Sequence, residues 1–528
     1  MRSEKLRELA RTKLTEARIT LDIEAFDQKN LARCSNAVFV CNQLLPGMDE
    51  WILTFLLAGQ AESVKILHPY PTPPPRSLEE LVIRPQPGSV QEGFLRLNFA
   101  KKLGKYVQKG AAVGLSLDFS ENLLGNMGKN LLRLRILKQL RKAGQPVVPI
   151  HLVAEHLPGG FLRKAFTGIP YTAFSSPVRV SVRVGSAISP EEMDQFEQNR
   201  LWGQFLQAKI FSLGSSFDIQ PEHITGDKPE NQQDLAEPVD PELVSADIAA
   251  LAPEYHIAKR GPFDVYVAPF IALPHVMFEI ARLRELTFRA AGEGTGMARD
   301  LDAYDMYYLQ LVIWDREAQR IVGGYRLGQG DLIFKRFGVN GFYTHSLFKM
   351  KDEFFPILQQ AVELGRSYVV PDYQKHRLPL FLLWKGILNF LLANPNYRYL
   401  YGPVSISKEF SDVSKSVIVE FVKRFCFDEE LAQLVRPRKP FRVKTKSVNT
   451  GLLAEMLHGE FDALEAFVEA IEPSHFKVPV LFRQYLKQNA RFIAFNVDPN
   501  FSGCLDGLMI LDLHNLPAST IEALQQEK

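Results

Sequence analysis

The apolar runs of this chain are short and punctuated, which limits the architectures open to it. None reaches the ~18 uninterrupted apolar residues of a membrane-spanning helix. The longest, "WILTFLLAG" and "LPLFLLWKGILNFLLA", are too short or broken by a charge. Strand-like stretches such as "AVFVC", "VGLSLDF", "PVVPIHLV" and "VRVSVRVG" alternate with helical ones such as "KNLLRLRILKQLRKAG". That alternation predicts α/β architecture.

The alternation occurs twice. Residues 1–30 read as one charged amphipathic helix, and a first α/β domain fills the chain to about 225. The polar, proline-punctuated segment "TGDKPENQQDLAEPVDPELVS" reads as a linker over 226–254. A second α/β domain, 255–528, opens with "FDVYVAPF". It carries the helix "HVMFEIARLRELTFRAA" and the hairpin "YYLQLVIWD"–"REAQ"–"RIVGGYRLG". In "LPLFLLWKGILNFLL", residues Leu380, Leu383, Trp384, Ile387 and Leu391 fall at helical spacing.

With 528 residues, there is room for about three to four domains. The 62 basic side chains nearly balance the 60 acidic ones, so bulk charge does not favour a nucleic-acid partner. Cys34, Cys41, Cys426 and Cys504 show neither CxxC spacing nor paired histidines. No metal site or disulfide framework is expected, and a reducing cytoplasm fits. The start, "MRSEKLRELARTKLTEARITLDIEAF", has no apolar signal-peptide core. The expectation is a cytoplasmic protein that meets lipid, if at all, as a peripheral protein on the inner face of the cytoplasmic membrane.

In the first domain the stretch "CNQLLPGMDEW" follows an apolar strand and delivers Asp49. It resembles the first block of the phospholipid/glycerol acyltransferases, in which a strand is followed by a histidine base and, a few residues on, an aspartate. "VGLSLDFSENLLG", with Glu121, resembles that family's Phe-Pro-Glu-Gly block. "QPVVPIHL" and "VRVSVRVGSAISPEEM" resemble its later blocks. Gln43 and Leu44 stand where the histidine would be. An amide does not titrate, and losing a general base costs roughly 10²–10⁴-fold in rate. The resemblance therefore implies a degenerate glycerolipid-acyltransferase-like domain whose old site is marked by Gln43, Asp49 and Glu121. Read alone, Asp49 is expected to cap a helix starting near Glu50.

The second domain gathers charges beside apolar strands. Asp302 and Asp305 lie three apart before one strand, Arg326 ends the next, and Glu363 and Arg366 lie three apart in another. Singly, such charges are costly to desolvate, so they are expected to pair. The stretches "EIARLRELTFRAAGEGTG", "DLDAYDMYYLQLVIWD", "ELGRSYVVPDYQ", "YLYGPVSISKEFSDVSKSVIVEF" and "LDGLMILDL" resemble, in order, the hemolysin-like family of GNAT N-acyltransferases. That family includes enzymes that acylate ornithine or glycine to lyso-aminolipids. Acyl-homoserine lactone synthases are distantly similar and carry the same charged set, here with Arg284 and Phe288.

The implied fold is a glycerolipid-acyltransferase-like α/β domain followed by a GNAT-like α/β domain. The implied activity moves a long acyl chain to the amino group of a small amino acid or amine. Glu363 is the expected base. Arg284, Asp302, Asp305, Arg326 and Arg366 are expected to bind acceptor or donor, and no bound cofactor is expected. Where ordinary GNAT enzymes have a glycine-rich pyrophosphate loop, this chain has "QKHRLP". The phosphopantetheine thioester of acyl carrier protein therefore suits it better than acyl-CoA. The basic run Arg436, Arg438, Lys439, Arg442, Lys444 and Lys446 would dock that carrier or an anionic membrane. Two rivals stay open: a bifunctional N-/O-acyltransferase, favoured by a displaced histidine near Asp49, and a non-catalytic protein that binds lipid or acyl carrier.

Overall fold

The computed structural model describes residues 3–34, 36–45, 47–61, 63–68, 78, 80–83, 100–119, 127–154, 176–214, 232–443, 448–472, 477–499, 501–518 and 520. The chain divides into two compact units. The first comprises Met1–Asp218 with 445–456 and 465–476; the second comprises 219–444, 457–464 and 477–528. Both are α/β. Two pieces of the first unit thus come from late in the chain.

The first unit is built on a seven-stranded sheet. Its strands are β1 (Ile19–Ile23), β2 (Val38–Asn42), β3 (Ser63–Leu67), β4 (Val82–Ile83), β5 (Ala111–Leu117), β6 (Val147–Ala154) and β7 (Val178–Val184), in the order β1-β7-β6-β2-β5-β3-β4. The ladders are parallel except for β6–β7. Every residue of β2 and β5 is buried, as expected of parallel strands covered on both faces.

The expected single helix over 1–30 is instead helix Ser3–Glu16, strand β1 and helix Ala25–Arg33. Arg18 takes φ 59°, a left-handed turn that ends the first helix. The β-branched "ITLDI" then pairs with β7. Tertiary pairing overrode the charge pattern there.

The second unit carries β8 (His256–Arg260), β9 (Phe263–Pro269), β10 (Leu309–Asp315), β11 (Arg320–Gln329), β12 (Phe348–Met350), β13 (Ala361–Val369), β14 (Tyr399–Ile406), β15 (Val435–Pro437), β16 (Arg491–Asp498) and β17 (Cys504–Asp512). Eight of these form one sheet, ordered β16-β17-β14-β13-β11-β10-β9-β8, and β12 pairs with β15. All ladders of the large sheet are antiparallel except β13–β14.

Helix Arg377–Ala393 packs against β8, β9, β10 and β11, burying Leu383, Ile387 and Leu391. Gly386 lets it approach closely: a β-carbon there would lie 2.8 Å from Leu311 Cδ1. Helix Val276–Ala290 lies against β13.

The stretch expected to be linker contains structure. Asp240 caps helix Pro241–Ala249, and Asp247 accepts from the His275 and Val276 N–H groups at the start of helix Val276–Ala290. Among the described residues no helix is long and apolar enough to cross a membrane, and no cluster of metal-binding side chains occurs.

Candidate active site

Two irregularities in the large sheet shape the site. The β13–β14 ladder covers only Ala361–Glu363 against Tyr399–Tyr401, although the strands run on to Val369 and Ile406. Beyond Glu363 the backbone of β13 has no ladder partner on its β14 side. That leaves polar groups on the walls of a V between two parallel strands.

The second irregularity is a bulge in the β11–β13 ladder. Gly324 pairs with Tyr368 and Arg326 with Gly365, so two residues of β13 oppose Tyr325. Arg366 occupies the bulge with φ 50°. In a regular strand Glu363 and Arg366 would point to opposite faces. The bulge breaks that alternation.

Arg366 meets a network that joins all the expected donor- or acceptor-binding residues. Arg284, 1% exposed, forks onto Asp305 with two contacts of 2.9 Å and reaches Asp300 at 3.0 Å. Arg326 contacts Asp302 at 2.6 Å and Asp305 at 3.4 Å. Arg366 contacts Asp300 at 2.8 Å and Asp302 at 3.5 Å. Gln310 adds a bond to Asp305.

Three guanidiniums thus face three carboxylates. Burial works to raise the Asp300 and Asp305 carboxyls, but the surrounding guanidiniums prevail and hold both below the ordinary range. Asp300 was absent from the expected set; its only signal in "ARDLDAYD" is its place two residues before Asp302.

Three tyrosine rings, Tyr304, Tyr308 and Tyr343, lie 5.2–5.6 Å from the Arg326 guanidinium. Tyr343 and Phe501 also cover Arg366, at 5.0 and 5.1 Å.

Glu363 lies at the apex of the V and is 1% exposed. Its carboxylate accepts from Tyr308 Oη at 2.6 Å, Thr344 N at 2.7 Å and Tyr401 Oη at 3.3 Å. Burial raises its pKa while the Tyr308 hydroxyl and the Thr344 donors pull it back. Both oxygens are therefore occupied.

In the first unit Asn42 bonds both ways to the backbone of Leu152. Gln43 follows it, half-buried. Helix Asp49–Ala58 begins one residue earlier than expected, and the buried Asp49 carboxylate does not cap it. It turns back to accept from the Leu44 and Leu45 N–H groups and from Ser116 Oγ. Burial pushes Asp49 up to about 7, with Glu50 adding to the shift. A histidine is near in space: His68 Nδ1 lies 3.1 Å from Glu50 Oε1, so it pairs with the neighbour of Asp49. His151 is buried, and burial lowers it to about 4. Glu121 and His156 lie outside the described residues.

An acetyltransferase (GNAT) domain family matches residues 283–384, a span that holds the bulge, the network and Glu363. A glycine Nα-acyltransferase of Bacteroides thetaiotaomicron is 29% identical over 282 residues, or 51% of this chain and 82% of that protein. A second, from Phocaeicola vulgatus, is 33% identical over 224 residues, or 40% of this chain and 68% of its own. This chain belongs to the glycine Nα-acyltransferase family.

The GNAT unit is thus an N-acyltransferase. The match to these glycine Nα-acyltransferases leaves about half of the chain outside it. A solved acyl-homoserine lactone synthase titled CoA-dependent, BjaI with SAM and isopentyl-CoA, aligns over 27% of this chain and 66% of its own at 20% identity. Its TM-score is 0.19, too low for the likeness to bear on the fold.

Proposed function

We propose that this N-acyltransferase transfers a long acyl chain from a phosphopantetheine thioester to the amino group of glycine or a similarly small amino acid, giving an N-acyl amino acid of lyso-aminolipid type. The observation that carries the reading is the interrupted β13–β14 ladder beside the buried charge network. An extended pantetheine arm fits between parallel strands whose facing backbone groups are unpaired. N–H groups there would polarise the thioester carbonyl as the amine attacks. Names of the relatives support the acceptor class.

Acyl carrier protein is the donor this reading favours. Helix Arg377–Ala393 starts just past β13, where a coenzyme A pyrophosphate would need free amides. Pro379 in its first turn supplies none, and no glycine stands there. Arg436, Lys439 and Arg442 are exposed, and the chain at Lys439 is bonded along β16, a firm basic edge for an acidic carrier. Lys444 and Lys446 lie outside the described residues. Glu363 reads as a positioning residue that ties Tyr308, Tyr401 and the Thr344 backbone together at the apex.

The test compares acyl-carrier protein with the matching acyl-CoA, each with glycine, following N-acylglycine by mass spectrometry. A much higher kcat/KM with the carrier is expected, falling with salt. Equal use of both donors would remove the carrier preference. Wild-type protein forming no amide from either donor would remove the reading itself.

A further inference from the structure

Beyond Arg366 lies a second group of carboxylates, which the charge network does not neutralise. Glu293 sits in the loop 292–296, Asp506 on β17 and Asp498 on β16. The sequence "GEGTG" is what this loop requires, because Gly292, Gly294 and Gly296 take φ of 71°, 108° and 76°. Its shape is fixed from below and from the side. Buried Glu285 accepts from Thr295 N, Thr295 Oγ1 and Gly296 N, and Ser502 Oγ donates to the Gly294 carbonyl. Phe288 packs edge-on against Phe501.

That firm loop presents Glu293 half-buried, and its carboxylate has no hydrogen bond or ion pair among the described residues. Asp506, 2% exposed, accepts from Ser405 Oγ at 2.7 Å, and Asp498 accepts from Tyr343 Oη. Arg366, the cation that acts on both Glu293 and Asp506, is already engaged by Asp300 and Asp302. Among the described residues, Glu293 and Asp506 therefore have no cation of their own to hold their ionised forms, beside a site whose reaction needs an amine, which arrives as an ammonium.

We propose that Glu293 and Asp506 form the seat for the acceptor's ammonium group and that Glu293 takes its proton. This rests on the acyl-transfer reading above. The ammonium gives one proton to the Glu293 carboxylate, which later releases it to solvent. The freed nitrogen lone pair attacks the thioester carbonyl carbon, forming the C–N bond and a tetrahedral oxyanion. Collapse breaks the C–S bond, and the second nitrogen-bound proton goes to the leaving thiolate. The products are an N-acyl amine and a thiol.

The electrostatics suit the task. Burial pushes Glu293 up to about 8, with Asp506 adding to the shift and Arg366 opposing it. Burial also pushes Asp506 up to about 7, against the Ser405 hydroxyl and Arg366, with Asp498 adding. A base in that range matches proton transfer near neutral pH. The other charged or titratable groups around Glu293 are Asp498 and Cys504 on the sheet, Glu409 against Gly292, and Glu285 with Arg289 beneath the loop. Glu363 has three donors on its oxygens, and Asp302 and Asp305 are bound by guanidiniums, so none of these competes for the role.

The experiment measures kcat, KM and Tm of full-length Glu293→Gln, Glu293→Asp and Asp506→Asn between pH 6 and 9, with glycine and an acyl thioester. Glu293→Gln should lower kcat about 10²-fold without changing KM for the donor. It should also lose the fall in rate that the wild type shows as pH drops below about 8. Glu293→Asp should recover part of kcat, and Asp506→Asn should chiefly raise KM for glycine. Wild-type kcat and pH profile in Glu293→Gln would overturn the proposal while acyl transfer stood. No turnover by the wild type would instead overturn the acyl-transfer reading. If Glu293→Gln unfolds, the other two variants carry the test, and unchanged kinetics in both would overturn it.

Discussion

Two groups of carboxylates flank Arg366, and they differ in one respect. Asp300, Asp302 and Asp305 are matched one for one by guanidiniums, and the two most buried are held below the ordinary range. Among the described residues Glu293 and Asp506 have no cation of their own, and burial pushes both well above it. The first set balances its own charge. The second is incomplete until a cation arrives. On the proposal above, a missing counter-charge rather than charge density marks the chemistry.

Breaking the matched set should have the largest effect. Asp305→Asn leaves Arg284 buried without its fork, a change of the kind that costs about 3–5 kcal/mol. Calorimetry should show a clear drop in Tm, with kcat of the surviving folded fraction close to wild type. Glu363→Gln should behave similarly on a smaller scale, about 1–3 kcal/mol, because one buried donor loses its acceptor. A stable Glu363→Gln with kcat down 10²-fold would move the base back to that residue.

The first unit offers a sharper contrast, because its buried Asp49 serves backbone amides and a hydroxyl. We expect no ester above background when the full chain is given a lyso-lipid and an acyl donor. The full chain is needed, since residues 445–456 and 465–476 complete that unit. Ester formation lost in both Asp49→Ala and His68→Ala would show that this unit acts as an O-acyltransferase, with His68 in the place of the missing histidine.

The sequence disclosed the α/β alternation, most strands and the charged residues that gather in the second unit. Their residue types and spacing reflect local periodicity and the cost of burying charge. The bulge at Arg366 was hidden, because a left-handed arginine has no sequence mark. Asp506 was hidden too: it joins Glu293 only through a sheet order that places β17 beside β14. Residues 241–249 were read as linker although Asp240 and Pro241 spell a helix start. Asp49 was expected to cap forward and bonds backward, a choice set by the turn at Leu44 and Leu45.

The most direct test is the difference in Tm between Glu293→Gln and wild type, followed from pH 4 to 9. A carboxyl raised to about 8 stays protonated in the folded state while the unfolded chain ionises near pH 4, so wild-type stability falls as pH rises between those values. Glutamine has no such loss. The variant should match wild type near pH 4, gain progressively to pH 8, and then level off some 2–4 °C higher for about each kcal/mol removed. A pH-independent difference, or a variant that becomes less stable as pH rises, would mean that Glu293 is an ordinary or ion-paired carboxylate, contradicting the account.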